Sequence, residues 1–314
     1  MKNKYFLLGV SVVVLVLGIL LLLSLGFVNL FTGRATSSLV DINISLGAGG
    51  APTIQNVTTE AATLNLNLGP TVTYFIVNFT VNDSNGYDNI DTTTANVTLE
   101  KAGATPRYNV TCQRTATYWT HYANYSCKIP VYWYDLDGVW VVNVSISDLS
   151  SNVAVNFTSR VTIGTLTGFE SGPGNITFST LSAGTTNQTA SNDPLLLNNT
   201  GNQNITQGNI AINASSLIGE TNSNKAIYAA NFTIGNITGS AAECDYHDSR
   251  YSTRINMTYG SFTNINNSVL PAGNYTINNG ATGQEELYLC ILEIGSELSQ
   301  QYYSTNKSWT IKIA

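Results

Sequence analysis

The chain has 314 residues, a net charge of −6 and only 10% charged side chains, with 37 Asn and 67 Ser plus Thr in their place. Ordinary globular chains carry about 25% charge. The absence of a Lys/Arg cluster argues against a nucleic-acid partner, and 43% apolar residues with 17 Tyr and 4 Trp argue against disorder.

Lys2 and Lys4 precede an uncharged apolar run at residues 5–31. At about 1.5 Å per residue a helix of this length reaches about 40 Å, against a hydrocarbon core of about 30 Å. A secretory signal has an apolar centre of only about 7–15 residues. The run therefore reads as a transmembrane helix with the lysines, residues 1–4, in the cytoplasm and the bulk of the chain outside. Gly33-Arg34-Ala35 and Ser24-Leu25-Gly26 are small-x-small sites at which the run would be removed, but its length favours retention. A pilin-type leader fits less well, because Lys4 stands where Gly or Ala is expected.

Residues 32–38 form a polar linker. Residues 39–46 alternate and predict a first strand with Ile42, Ile44 and Leu46 on one face, ended by Gly47-Ala48-Gly49-Gly50-Ala51-Pro52. Strands follow at 62–68 and 72–81, the second placing Phe75, Val77, Phe79 and Val81 on one face. Asn85-Gly86 is a turn signal. Residues 95–100 and 108–112 alternate again. Asp137-Gly138 predicts a hairpin between 129–134 and 139–147, the latter presenting Trp140, Val142, Val144 and Ile146 together. Residues 153–163 close the first half. A glycine-rich stretch at 164–174 reads as a junction, giving domains at 39–165 and 166–314. The second half predicts strands at 176–181, 209–213, 227–234, 254–262, 274–278, 286–293 and 309–313. Nothing beyond residue 35 has a sustained helical period. The fold class is all-β: an N-terminal transmembrane helix followed by two Ig-like β-sandwich domains.

Asn-x-Ser/Thr triplets number 20, against about eight expected by chance from 37 Asn and 67 Ser plus Thr in 314 residues. In 15 of them the middle residue is apolar. Strand alternation alone would favour that pattern, since it turns Asn and Ser/Thr to solvent and the middle residue inward. The same register presents Asn to a glycosyltransferase, and attached sugar would make a weakly charged surface soluble. The candidate acceptors are Asn43, Asn56, Asn78, Asn96, Asn109, Asn124, Asn143, Asn156, Asn175, Asn204, Asn213, Asn231, Asn236, Asn256 and Asn274.

The four cysteines suit an exported chain with disulfides. Of three pairings, Cys112–Cys127 and Cys244–Cys290 keep each bridge within one half. Zinc would need a Cys-x-x-Cys pair or flanking His, and neither occurs. Asp83, Asn85 and Asp88 share one loop, and Asp135 and Asp137 another. Tight turns demand such residues without a metal, and calcium, which takes six to eight oxygens, is the alternative. No cofactor is otherwise implied.

Tyr125-Ser126-Cys127 resembles the tyrosine corner of immunoglobulin folds, although a 15-residue loop to Cys112 does not match their intersheet bridge. Cys127-Lys128-Ile129-Pro130, then Tyr134-Asp135-Leu136-Asp137-Gly138-Val139-Trp140, with Ser147-Asp148 beyond, is similar to the closing hairpin of Ig-like modules in archaeal cell-surface glycoproteins. Phe79-Thr80-Val81-Asn82-Asp83-Ser84-Asn85-Gly86-Tyr87 is similar to their earlier hairpin, and the anchor followed by Thr32-Gly33-Arg34-Ala35-Thr36 fits as well. The resemblance covers residues 1–165. Asn198-Asn199-Thr200-Gly201-Asn202 extends it in style only. It implies a cell-envelope location and no established activity.

Residues for catalysis are sparse. His247, in Cys244-Asp245-Tyr246-His247-Asp248, has a neighbouring acid but no Gly-x-Ser-x-Gly nucleophile. Glu285 and Glu286 point opposite ways on a strand, so they make no glycosidase pair. Leu270-Pro271-Ala272-Gly273 reads as a turn. The expectation is a non-enzymatic, membrane-anchored, N-glycosylated envelope protein with a structural or adhesive role. Its partners would be the membrane, through residues 5–31, and like subunits or other surface proteins. The rivals are a secreted fibre subunit whose strand 39–46 completes a neighbour's sheet and, in another class, a surface hydrolase.

Overall fold

The computed structural model describes residues 16–17, 49–236, 244, 254–305 and 307–314. Residues 1–47 form one unit and residues 48–314 another. Of the first, only Val16 and Leu17 are described, both helical. The rest of the apolar run and the predicted strand 39–46 lie outside the described residues. Among the described residues no helix is long and apolar enough to cross a membrane.

The second unit is all-β and holds two separate hydrophobic cores. The first core lies between two sheets. One contains β1 (Thr53–Thr59), β3 (Val72–Asn82), β7 (Tyr122–Tyr132) and β6 (Thr111–Tyr118), in that order. The other contains β2 (Thr63–Leu64), β9 (Val153–Ile163), β8 (Gly138–Asp148), β4 (Ile90–Glu100) and β5 (Arg107–Tyr108). This strand order is that of an immunoglobulin sandwich, A-B-E-D facing G-F-C. Period-two alternation builds it. Phe75, Val77, Phe79 and Val81 of β3 and Trp140, Val142, Val144 and Ile146 of β8 are all buried between the sheets. Trp140 is wholly enclosed, and its indole N–H donates to the Leu136 carbonyl at 2.8 Å.

Two predicted hairpins prove to be crossings between sheets. Asn85-Gly86 does make a turn, with Gly86 at φ 107° donating to the Asp83 carbonyl, but it leads from β3 to β4 in the facing sheet. Residues 133–137 likewise carry the chain from β7 to β8. Asp135 anchors that crossing by accepting from the Tyr132 amide at 2.8 Å and pairing with the Arg107 guanidinium. Alternating flanks fit a hairpin and a crossing equally well, so the pattern alone chose wrongly. Cys112–Cys127 joins directly opposed residues of β6 and β7, within one sheet.

The second core is enclosed by shorter strands: β10 (Phe169–Gly172), β11 (Thr186–Thr189), β12 (Leu195–Asn199), β13 (Ile210–Asn213), β14 (Leu217–Gly219), β15 (Ala226–Ile227), β16 (Phe232–Gly235), β17 (Ile255–Asn256), β18 (Phe262–Asn264), β19 (Gln284–Glu293), β20 (Tyr303–Thr305) and β21 (Thr310–Ile313). The central strand is β19, flanked by β12 and β16, and Cys290 on it is bridged to Cys244. Several expectations fail here. Residues 176–181 make no strand, although Ile176, Phe178 and Leu181 pack on the core. Residues 274–278 form a 3-10 turn, Tyr275–Ile277, capped by the Asn274 side chain. Another such turn, Ala229–Asn231, interrupts 227–234. Alternation specifies which side chains face inward; it does not guarantee the backbone a ladder partner.

The two cores meet through a buried asparagine. Asn202 is 3% exposed. Its amide nitrogen donates to the carbonyls of Asp135 (3.1 Å) and Gly164 (2.9 Å), and its amide oxygen accepts from Leu166 N (2.7 Å). Asn199, wholly buried, donates to the carbonyls of Gln203 and Pro271 and accepts from Gly201 N. A Cβ at Gly201 would strike the Leu166 carbonyl. Trp133 and Tyr275 pack across the same joint at 5.7 Å.

Asn202→Ala should cost roughly 2–4 kcal/mol, because it orphans two carbonyls and an amide away from water. Calorimetry should show one unfolding transition for the unaltered chain and two, one per core, for this variant. A second consequence concerns pH. Burial pushes the Asp193 carboxyl up to about 6, partly opposed by donation from Leu289 N. An unfolded Asp titrates near 3.9. Its protonated form is therefore favoured by the fold, and this contribution is lost as pH rises from about 4 to 6. Denaturant midpoints at pH 4 and pH 7 should show that Asp193→Asn removes this loss.

Candidate functional site

The sequon asparagines divide cleanly from the structural ones. Asn56, Asn78, Asn175, Asn204 and Asn256 are exposed, and Asn96, Asn109, Asn124, Asn143, Asn156, Asn213, Asn231, Asn236 and Asn274 are half-exposed. Asn43 lies outside the described residues. The buried asparagines among the described residues are Asn199 and Asn202, and neither is a sequon acceptor, Asn199 being the middle residue of Asn198-Asn199-Thr200. The middle residue is buried at Phe79, Val97, Tyr125, Val144, Ile205, Ala214, Phe232, Met257 and Tyr275.

Two triplets break the register. Val110 and Phe157 are exposed. Asn109 precedes β6 and turns its amide oxygen in to the Val97 amide at 2.8 Å. At Asn156, the β8–β9 ladder slips between Val142 and Val144, and the side chain turns toward β1, 3.5 Å from the Ile54 carbonyl.

Chemistry at the acceptor nitrogen differs among the sites. The amide nitrogens of Asn143, Asn231 and Asn236 are engaged, by Glu100, the Glu293 carbonyl and the Asn267 carbonyl. Asn56, Asn78 and Asn124 instead share a polar depression of about 250 Å³ with Thr58, Thr80 and Thr115. There Thr80 donates to the amide oxygen of Asn124 at 2.8 Å.

The acidic loops are occupied with their own backbone. Asp83 is wholly buried and accepts from Asn85 N at 2.8 Å and from the Asn89 amide at 3.2 Å. Asp88 is exposed, and Asp137 is half-exposed near the Asp135–Arg107 pair. Among the described residues no group of three or more His, Cys, Asp or Glu converges on one point. His121 sits 3.1 Å from the Asp83 carbonyl through Nδ1, while His247 lies outside the described residues. Glu285 and Glu286 diverge on β19, the first accepting from Val269 N and the second from the Tyr288 hydroxyl. Leu270 is buried in an isolated bridge with Ile205.

Three features were not read from the sequence. The first is the Arg107–Asp135 pair, over which Tyr132 and Tyr134 stack with the guanidinium; its signal was the scarcity of cations near a crossing rich in tyrosine. The second is a cavity of about 310 Å³ in the second half, lined by Ile176, Phe178, Leu195, Phe232 and Trp309. It is at the small end for ligand sites and has few convergent polar groups. The third is the tip of the β6–β7 hairpin. Tyr118 and Tyr122 stack at 5.2 Å, and Trp119 meets them edge-on at 5.8 and 5.5 Å. Trp119 is 79% exposed at φ 51°.

No protein-family model matches the chain, and no curated protein matches it. Among solved structures, the PKD domain of an M14-like peptidase from Thermoplasmatales archaeon SCGC AB-540-F20 is similar to 37% of this chain over 98% of its own length, at 21% identity and a TM-score of 0.21. The sandwich assignment rests on strand order and core, independently of that likeness.

Proposed function

We propose that the chain is a membrane-anchored, N-glycosylated cell-envelope protein whose β-sandwich halves do structural or adhesive work outside the cell. The observation that carries this reading is the partition of asparagines: among the described residues every sequon acceptor reaches solvent, and the buried asparagines, Asn199 and Asn202, are not acceptors. A surface with 10% charge needs another source of hydration, and sugar at these positions supplies it. The two disulfides suit an oxidising compartment. The apolar run at 5–31 supplies the anchor, and like subunits or neighbouring surface proteins supply the partners. This reading assigns the chain no catalysis.

Glycopeptide mapping of protein isolated from its native membranes tests the reading. Asn56, Asn78, Asn96 and Asn124 should carry sugar, and occupancy should be lower at Asn143, Asn231 and Asn236, whose amide nitrogens are engaged. Bare asparagine at positions 56, 78, 96 and 124 would leave strand alternation as the whole explanation.

A further inference from the structure

One end of the first sandwich gathers the chain's entry and the most exposed aromatic side chain of that sandwich, Trp119. The entry is fixed by register: Thr53 pairs with Asn82, so residues 49–52 run on beside the loop that follows β3. The Gly49 carbonyl accepts from the Asn152 amide at 3.5 Å, and a side chain at Gly49 would overlap Asn85. That loop in turn grips the hairpin tip. Asp83 N donates to the His121 carbonyl at 2.9 Å, and Tyr87 N to the Thr120 carbonyl at 3.1 Å. Arg114 lies over the Tyr87 ring. Leu149 N donates to the Asn89 carbonyl, bringing the β8–β9 turn to the same end with Leu149 67% and Val153 61% exposed. The second half joins at the opposite end, through Asp135 and Gly164.

Trp119 is thus held outward by a braced loop in a backbone conformation that bulky residues rarely adopt. Such an outlier points to use rather than accident. Tyr118, Trp119, Leu149 and Val153 present apolar bodies beside polar backbone and hydroxyl groups. That mixture suits the lipid–water interface, where Trp and Tyr concentrate. The ionisable groups at this end are Asp83, Asp88, Asp91, Arg114, His121 and Asp148, which give no cationic patch.

We propose that this end of the first sandwich docks onto the lipid surface, with Trp119 and Leu149 inserted at headgroup depth. The proposal rests on the anchored reading of residues 5–31. Residues 32–48, 17 in all, separate that run from Gly49. At full extension they span at most about 60 Å. A tether of that length holds the entry end near the bilayer at an effective concentration on the order of millimolar. Weak insertion by two or three side chains is enough under that condition. Because no basic patch contributes, docking does not need anionic lipid.

The four tryptophans make the test direct. Trp140 and Trp133 are buried, and Trp309 packs edge-on against Phe232 inside the second half. The full chain is reconstituted in phosphatidylcholine vesicles, with or without lipid bearing a headgroup-depth nitroxide. The nitroxide should quench part of the emission, and Trp119→Phe should lose that part. Leu149→Trp placed in the Trp119→Phe background should restore it, whereas Tyr259→Trp, exposed in the second half, should not. Protein that floats with the vesicles yet shows equal quenching in wild type and Trp119→Phe overturns docking and leaves the anchor intact. Protein that does not float overturns both. A Trp119 emission shift that depends on protein concentration in detergent, without vesicles, assigns the tip to a second copy of the chain and overturns the lipid proposal.

Discussion

The described structure depends on one buried amide. Asn202 reaches the β7–β8 crossing through Asp135, the end of β9 through Gly164 and the start of the second half through Leu166. A buried amide with both ends satisfied is favourable and specific; the same amide half-satisfied would be costly. Asn202 therefore accepts one relation between the two cores. Gly201 allows the close approach, and Gly69 N donating to the Thr200 carbonyl at 2.8 Å adds a second strap. Once the joint is set, the opposite end of the first sandwich is left free, and it is there that the chain enters.

The rest of the molecule follows from a shortage of charge. Ion pairs contribute little, and the Arg107–Asp135 pair is used at the crossing next to the joint. Polarity is carried by Asn, Ser and Thr on strand faces. These residues hydrogen-bond locally when the backbone permits, as at Asp83 and Asn274, and otherwise face solvent. Sugar on the solvent-facing asparagines would also shield sheet faces such as β1-β3-β7-β6, where Asn56, Asn78 and Asn124 cluster. Asn56 also stands on β1, an edge strand, and an uncovered edge invites pairing between molecules.

Much of the first half was legible because long strands bury one face. Phe75 to Val81 and Trp140 to Ile146 announce their strands and their inward sides, and both are buried as expected. Connectivity was not legible. Asp137-Gly138 looks the same whether the chain folds back or crosses to the other sheet; the choice is made by Arg107, which meets Asp135 from 28 residues away. The second half was harder, since its strands are often three or four residues long and segments such as 176–181 pack without pairing. Both disulfides were readable from number and spacing. The joint was not, because Asn199 and Asn202 look like every other asparagine in a chain rich in them. Their burial is a tertiary fact. Trp119 was hidden for the converse reason: its exposure is set by the β6–β7 turn, which the sequence does not mark.

The central claim is that residues 49–314 face the outside of the cell while residues 5–31 stay in its membrane. Protease shaving of intact cells tests it most directly. The account predicts that glycopeptides from residues 49–314 are released without lysis, and that the N-terminal segment up to Arg34 is recovered only from the membrane fraction. Peptides from residues 49–314 that emerge only after lysis, without sugar, would contradict it.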